Sequence, residues 1–469
     1  AERVYAPWLD MEEEMRCRRI PLFSLETGTE ISSFDFLGFS LQYELLITNT
    51  LNMLDLASIP LRAAERGLAH PFVVGGGPCV YNAEPMAAFF DFFLLGDGEE
   101  AVSEICDVMI AWKKEGCPEG RLGFLRRVAA LPGIYVPSFY EPQYDENGAF
   151  SGVTLLDRAA RPAVYRRVVK NLDETPFLER PIVPYLGIVH DRIMLELFRG
   201  CTRGCRFCQA GMMYRPVRER SADNIVAAAI RGLAETGYDE VSLTSLSTTD
   251  HSQIEEILRR LNRAFEGKGI SVSVPSQRLD SFGVEMAELV AGGKRGGLTF
   301  APEAGTQRLR DVINKNVTEE DLFGAISAAF SAGWRRCKLY FMIGLPTETD
   351  DDIKGIASLV QRAYDVAKKS VPEDQRGSVR MSASCALFVP KAQTPFQWDG
   401  QIPPEEAYRR IGLLRRSVKY RAVDIHWHEP DGSIVEAMMS RGGREVADVV
   451  ETAWRMGARF DAWTEFFSL

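Results

Sequence analysis

The sequence predicts an α/β protein with two successive strand–helix arrays. An open, Rossmann-like parallel sheet is followed by a partial (β/α)6 TIM-like barrel. Three observations predict this. Apolar runs of strand length alternate with helical patterns from Phe34 to about Gly116, and the alternation resumes at Asp191. Glycine clusters close several of the strands. The 469 residues, 46% of them hydrophobic, suffice for two or three cores. A net charge of −10 gives no overall preference for nucleic acid or an acidic membrane. No apolar run approaches the ~20 residues of a membrane span, and no secretory leader is visible. Six cysteines (Cys17, Cys79, Cys106, Cys117, Cys337 and Cys385) lie scattered, which suits reduced thiols in the cytoplasm.

In order, Arg3–Trp8 reads as a strand, and the start at Ala1 with the apolar stop at Leu469 reads as a fragment, its first array truncated. Phe34–Ser40 reads as a strand, Tyr43–Ala57 as a helix, and Phe72–Pro78 as a strand ending in Gly75, Gly76 and Gly77. Glu84–Phe90 reads as a short helix. Asp91–Glu99 reads as a strand with the turn Gly96-Asp97-Gly98-Glu99, and Glu100–Lys114 as a helix. Ligands of such sheets bind at the carboxyl ends of the strands, where both glycine turns fall. The domains expected are this array over 1–120, a linker over 121–190 with a hairpin at Asp145–Gly148, a barrel over 191–400, and a helical region over 401–469. Barrel strands are expected at Ile193–Phe198, Glu240–Ser247, Ile270–Arg278, Leu298–Pro302, Lys338–Pro346 and Val379–Pro390. Their carboxyl ends would carry the site.

Cys201, Cys205 and Cys208 follow the first barrel strand in the run RGCTRGCRFCQ. A zinc site commonly takes four ligands from separated pairs, and neither a second C-x2-C nor a His pair follows. Three thiolates on one loop suit a cubane cluster with an open iron. Gly200 and Gly204 permit the tight turns. This C-x3-C-x2-C with Phe207 before the last cysteine resembles the signature of the radical S-adenosylmethionine (radical SAM) superfamily. The resemblance implies a [4Fe-4S] cluster whose unique iron chelates SAM and reduces it, giving methionine and a 5'-deoxyadenosyl radical. It further implies an electron donor such as flavodoxin or ferredoxin, and a substrate that the sequence does not identify.

The same resemblance implies SAM contacts at other strand ends: Glu303 in APEAG for ribose hydroxyls or the amino group, Arg278 for the methionyl carboxylate, and Gly344 for adenine through its backbone. The superfamily's usual G-G-E is missing after the second strand, where Ser245 stands as a substitute donor. The amino-terminal array resembles the cobalamin-binding domain of the B12-dependent class, in which a GG turn and a G-[DE]-G-E turn flank the nucleotide tail. Gly75, Gly76, Gly77, Gly96 and Gly98 would then bind cobalamin, although the histidine-bearing loop of that family is absent and His70 sits before a later strand.

Lys391–Trp398 resembles a TPFQW element of one B12-domain group, with Gln393 where a histidine is common. Members of the B12-dependent class often methylate unactivated carbon, so methyl transfer or another radical rearrangement is the expected reaction. A methylthiotransferase would need a second cluster, for which Cys79, Cys106 and Cys117 are the amino-terminal candidates. A non-catalytic iron–sulfur or RNA-binding scaffold is a third reading. Arg215–Arg220 and Arg409, Arg410, Arg415 and Arg416 are candidate RNA surfaces, with solvated helix faces as the plainer alternative. His426 and His428 alternate on a strand and lack a third ligand nearby.

Overall fold

Long-range contacts divide the chain into one unit of residues 1–169 with 431–469 and another of residues 170–430. The computed structural model describes residues 1–178, 180–275, 279, 283–291 and 298–467. The first unit begins with α1 (Leu9–Arg18), β1 (Phe36–Ser40), α2 (Ile47–Leu56), β2 (Phe72–Gly76) and β3 (Phe92–Leu94). It continues with α3 (Ala101–Lys114), α4 (Gly120–Val128), β4 (Ile134–Tyr135), β5 (Tyr140–Tyr144) and β6 (Phe150–Leu155).

β1, β2 and β3 pair in parallel, and β4 closes the sheet antiparallel to β3. Successive residues of a strand point to opposite faces, and here both faces are apolar. Phe72, Phe92 and Leu94 pack with Phe124 and Trp112 of the helices on one side. Val73 and Phe93 pack with Leu51 and Leu54 of α2 on the other. The hairpin β5–β6 forms as expected, its turn held by Asp145, whose carboxylate accepts the N–H groups of Asn147 and Ala149.

The second unit is a parallel array. It comprises β7 (Ile193–Glu196), β8 (Phe198–Arg199), α5 (Gln209–Met213), β9 (Arg218–Glu219), α6 (Ala222–Thr236), β10 (Glu240–Thr244), α7 (Ile254–Phe265), β11 (Ser271–Ser273) and α8 (Val284–Ala291). Then come β12 (Leu298–Glu303), α9 (Gln307–Val312), α10 (Glu319–Ser331), β13 (Arg336–Ile343), α11 (Asp350–Lys369), β14 (Arg380–Leu387), α12 (Pro404–Ser417) and β15 (Val423–Trp427). Among the described residues β7, β10 and β11 pair in parallel, as do β12, β13, β14 and β15. The partial (β/α)6 barrel thus has the expected six strands and a seventh, β15, bearing His426.

Helix starts follow local chemistry. Ser221 caps α6 through Asn224 N–H, and Thr318 with Asp321, like Thr349 with Asp352, forms a reciprocal capping box. On α7, Ile254, Ile257, Leu258, Leu261 and Phe265 share one buried stripe. They join Leu195, Leu243, Phe300, Leu339 and Ala383 from the strands in a single core.

Three expectations differ from the structure. Arg3–Trp8 pairs with no strand: Pro7 lacks a donor, and the Arg3 carbonyl only accepts Leu25 N–H. Glu84–Phe90 is one 3₁₀ turn at Glu84–Met86, after which the chain bends to bury Phe89 and Phe90. Residues 401–469 fall in both units. α12 packs on the barrel, whereas α13 (Pro430–Arg441) and α14 (Val446–Arg455) lead back to the first unit. There Val446, Val450 and Trp454 enter the same cluster as Met15, Leu51 and Leu54.

Candidate active site

The three cysteines lie on a loop whose base is closed by β8 pairing antiparallel with β9, Phe198 opposite Glu219 and Arg199 opposite Arg218. Gly200 turns into this loop at φ 96°. A Cβ there would stand 2.7 Å from Pro216 O and 2.8 Å from Tyr214 O, so only glycine fits. Two later barrel loops hold it from outside. Arg206 N–H donates to Ile313 O at 2.9 Å, and Asn314 Nδ2 donates to Gly204 O at 2.9 Å. Gln209 Nε2 donates to Ala392 O at 3.1 Å, and Phe396 N–H to Arg206 O at 3.4 Å. Phe207 packs against a small core containing Leu309, Ile313, Leu345, Phe388 and Phe396. The Cys208 thiol accepts Gly211 N–H at 3.3 Å and caps α5.

Burial pushes the thiols of Cys205 and Cys208 up. Lys315 opposes the rise at both, while Cys201 and Glu303 add to it, which places these five side chains in one electrostatic neighbourhood. Thiols held protonated until a metal arrives are ordinary ligands for one, because metal binding releases the proton. Among the described residues no three Cys, His, Asp or Glu side chains converge on one point closely enough for a single metal ion. Three thiols on one loop suit a cluster in which each meets its own iron.

Glu303 ends β12 in the left-handed region at φ 69°, after a break in register between Phe300 and Glu303. Its carboxylate pairs with Lys315 Nζ at 3.1 Å. Neither Lys315 nor Asn314 was apparent from the sequence; they sit in the loop after α9, and no motif marks them. At the end of β10, Ser245 Oγ lies 2.9 Å from Thr248 Oγ1. At the end of β13, Gly344 N–H donates to Glu348 Oε2 at 2.8 Å, an oxygen that also receives Arg410 Nη1 at 2.6 Å. Burial pushes Glu348 up to about 7, partly offset by Gly344 N–H and Arg410. Arg278 lies outside the described residues.

In the first unit the glycine turns lie at the carboxyl ends of β2 and β3. Much of their space is taken by the chain itself. A Cβ on Gly75 would meet the Phe93 ring at 2.5 Å, and one on Gly77 would meet Leu41 O at 2.8 Å. Gly96, at φ 100°, lies under the segment before Lys170: a Cβ there would stand 2.1 Å from Arg167 O. Asp97 N–H donates to that same oxygen, the Asp97 carboxylate accepts Val169 N–H at 2.8 Å, and the Arg167 guanidinium grips Glu100 and Glu104. Gly76 and Gly98 keep open faces, with nothing closer than 4.0 Å and 3.7 Å. His70, the sole imidazole of this unit, lies just before β2, its Nδ1 accepting Gly67 N–H. Room at this edge is therefore left beside the backbone of Gly76 and Gly98.

Most of the basic candidates are engaged within the protein. Arg218 and Arg220 are buried, and Arg220 donates to Leu172 O, Thr175 O and Thr175 Oγ1 and stacks on Phe177. Arg409 pairs with Asp350 and Glu406, and Arg410 with Glu348 and Glu406. Arg415 lies over Trp427. His426 and His428 are exposed. Cys79 is buried, Cys106 exposed and Cys117 half-buried, and among the described residues they form no metal-holding group. The Tyr140 hydroxyl accepts Arg161 N–H at 3.0 Å, and Tyr144 is exposed on the hairpin. No helix of the described residues is long and apolar enough to cross a membrane.

A parallel half-barrel with three thiols on the loop after its first strand defines an enzyme built around an iron–sulfur cluster with an open iron. Comparison with known proteins agrees. Residues 1–137 match the family "Radical SAM proteins, N-terminal", and residues 195–360 match the "Radical SAM superfamily". The chain belongs to the radical SAM superfamily and is a radical SAM enzyme. An uncharacterized protein of Methanocaldococcus jannaschii is 26% identical over 433 residues, 92% of this chain and 83% of its own length. In fold, the chain is similar to the radical SAM methyltransferase TsrM of Kitasatospora setae, solved with cobalamin and a [4Fe-4S] cluster bound. The TM-score is 0.55 at 14% identity, over 90% of this chain and 89% of that one. It is also similar to the cobalamin-dependent radical SAM enzyme OxsB, with a TM-score of 0.51 at 13% identity over 83% of this chain and 54% of that one.

Proposed function

We propose that this enzyme starts a cobalamin-linked methyl transfer, or a related rearrangement, by removing a hydrogen atom from its substrate. The observation that carries the radical step is the loop of Cys201, Cys205 and Cys208 after the first barrel strands, tied through Arg206 and Gly204 to Ile313 and Asn314 beside the Glu303–Lys315 pair that follows β12. Cys201, Cys205 and Cys208 would hold three irons of a [4Fe-4S] cluster. When bound, the cluster supplies the electron that splits SAM into methionine and a 5'-deoxyadenosyl radical. Glu303 accepts hydrogen bonds from the ribose or amino group of SAM, and Lys315 holds the glutamate in place. Ser245 donates where the family's usual glutamate is missing. Gly344 presents backbone to the adenine, and Phe207 wedges the cysteine loop against its apolar support. Arg278 is proposed for the methionyl carboxylate.

Cobalamin, when bound, supplies a methyl group to carbon. The similarity of fold to cobalamin-binding enzymes and the open faces of Gly76 and Gly98 support it. Flavodoxin or ferredoxin is the proposed electron donor, and the cytoplasm, where six further free cysteines and a cluster stay reduced, is the proposed compartment. An RNA substrate gains little support, because Arg218, Arg220, Arg409 and Arg410 are engaged within the protein.

The test is anaerobic reconstitution and reduction in the presence of SAM, assaying 5'-deoxyadenosine, with Cys201→Ala, Cys205→Ala and Cys208→Ala as controls. Production that the controls lose supports the reading. A chain with a full cluster that binds no SAM refutes it. Equilibration with hydroxocobalamin and gel filtration tests the second cofactor; no retained visible absorption removes the methyl-transfer part.

A further inference from the structure

Loops that follow adjacent strands of a parallel array lie side by side at its carboxyl end. β10 pairs with β7, and Leu197 N–H continues that pairing by donating to Thr244 O at 2.9 Å just before the cysteine loop. The segment that follows β10 is a tight and largely buried turn. Ser245 Oγ lies 2.9 Å from Thr248 Oγ1, Asp250 N–H donates to Ser247 O at 2.9 Å, and Ser247, Thr248, Thr249 and His251 are buried. His251 Nε2 donates to Arg220 O at 2.9 Å while its Nδ1 accepts Gln253 N–H at 3.0 Å, which fixes the far end of the turn.

Asp250 projects its carboxylate from this turn onto the cysteine loop. Arg203, midway between Cys201 and Cys205, meets it as a fork: Nε donates to Oδ2 at 2.9 Å, and Nη2 donates to Oδ1. Oδ2 also accepts Ser247 Oγ at 2.6 Å, so the carboxylate is oriented by its own turn. On the backbone of the same short span, Asn314 Nδ2 donates to Gly204 O, and Gly204 turns at φ 71°. A two-point bond between guanidinium and carboxylate fixes orientation as well as distance, which a single hydrogen bond does not. Arg203 is 32% exposed, so solvent screens the pair and it adds little to the stability of the whole chain. Its effect is local. The three residues between two thiols are pinned at their centre, from beyond β10 through a side chain and from beyond β12 through the backbone.

We propose that Arg203 and Asp250 are positioning residues for the cluster: their fork sets the span between Cys201 and Cys205, and Ser247 holds the carboxylate for it. This rests on the three cysteines holding a [4Fe-4S] cluster. Groups that orient metal ligands without touching the metal commonly change its retention by about 10–100-fold when removed.

The test uses the full chain as wild type, Arg203→Met, Arg203→Lys, Asp250→Asn and the double variant Arg203→Met with Asp250→Asn. After anaerobic reconstitution, iron loss to excess bathophenanthroline disulfonate is timed. Each single variant should lose iron about tenfold faster than wild type. The double variant should lose it no faster than the singles, because the two residues act as one unit. Arg203→Lys keeps the charge without the fork, and should behave like Arg203→Met. The electron paramagnetic resonance signal of the reduced cluster, which responds to the orientation of its ligands, should shift in every variant. In the apo-proteins, hydrogen exchange should quicken over residues 200–209 while the melting profile stays native. Wild-type iron retention and an unshifted signal in Arg203→Lys, or effects that multiply in the double variant, would each overturn the proposal. So would unchanged exchange over residues 200–209 in all the variants. Failure of the radical reading is seen separately, as a wild-type sample that takes up no cluster or splits no SAM, whatever the variants do in hydrogen exchange.

Discussion

Replacing Glu348 with glutamine removes a titration that the fold has moved into the physiological range. Only 1% of the Glu348 side chain is exposed. Its Oε2 accepts from Gly344 N–H and Arg410, whereas its buried Oε1 has no partner among the described residues. Burial therefore wins, and the group rises from its ordinary 4.5 to about 7. The unfolded carboxyl releases its proton near 4.5, the folded one near 7, so across that window the native state binds more protons. Stability from this group is complete below 4.5 and is lost as pH rises through about 7. At about 1.36 kcal/mol per pH unit the loss comes to roughly 3 kcal/mol. Glu348→Gln keeps an oxygen for Gly344 and Arg410 and does not titrate. The variant should match wild type near pH 4.5 and exceed it by about 3 kcal/mol at pH 8. Urea unfolding of both proteins at pH 4.5, 5.5, 6.5, 7.5 and 8, compared at each pH so that other titrations cancel, measures it. Parallel curves across that range would refute the reasoning.

Other perturbations test the remaining contacts. Gly96→Ala forces a Cβ to within 2.1 Å of Arg167 O at φ 100°. It should cost about 3 kcal/mol or more and free the segment around Arg167 to proteolysis, whereas Gly76→Ala, with space around it, should leave both unchanged. Cys205→Ala leaves two thiolates, so iron after reconstitution should fall well below about four per chain, measured by ferrozine assay and by the cluster's visible absorption. Lys315→Met removes a positive charge beside Cys205 and Cys208 and should move the reconstituted cluster's midpoint potential to more negative values. An unchanged potential in a redox titration would take Lys315 out of the cluster's surroundings. Arg220→Met leaves Leu172 O, Thr175 O and Thr175 Oγ1 without their shared donor, and should lower stability by about 2–4 kcal/mol in thermal unfolding.

Much of the site was readable from the sequence because its signals are local. Cys201, Cys205 and Cys208 fall within eight residues of one loop, so their spacing is visible in the sequence. Gly200 is required by the same loop's backbone. The alternation of apolar strand runs with stripes such as Ile254, Ile257, Leu258 and Leu261 follows from the periods of strand and helix. Arg220 looked like part of a basic surface because a sequence shows charge but not which carbonyls a guanidinium will meet. The turn at Gly96 looked like a cofactor cradle for a similar reason: glycine is needed wherever backbone approaches closely, whether the neighbour is a nucleotide or Arg167 of the same chain.

The sequence by itself determined the class of this protein: a radical SAM enzyme with a parallel half-barrel and its thiols on the first loop. Motif and period are properties of neighbouring residues, and folding cannot change them. Tertiary structure decided which distant groups meet that loop. Asn314 and Ile313 reach it from beyond β12, Ala392 and Phe396 from beyond β14, and α14 leaves the barrel behind to complete the core around Leu51 and Leu54. Those meetings depend on packing across a hundred residues or more of chain, where burial and hydrogen-bond satisfaction choose partners that no local spacing encodes.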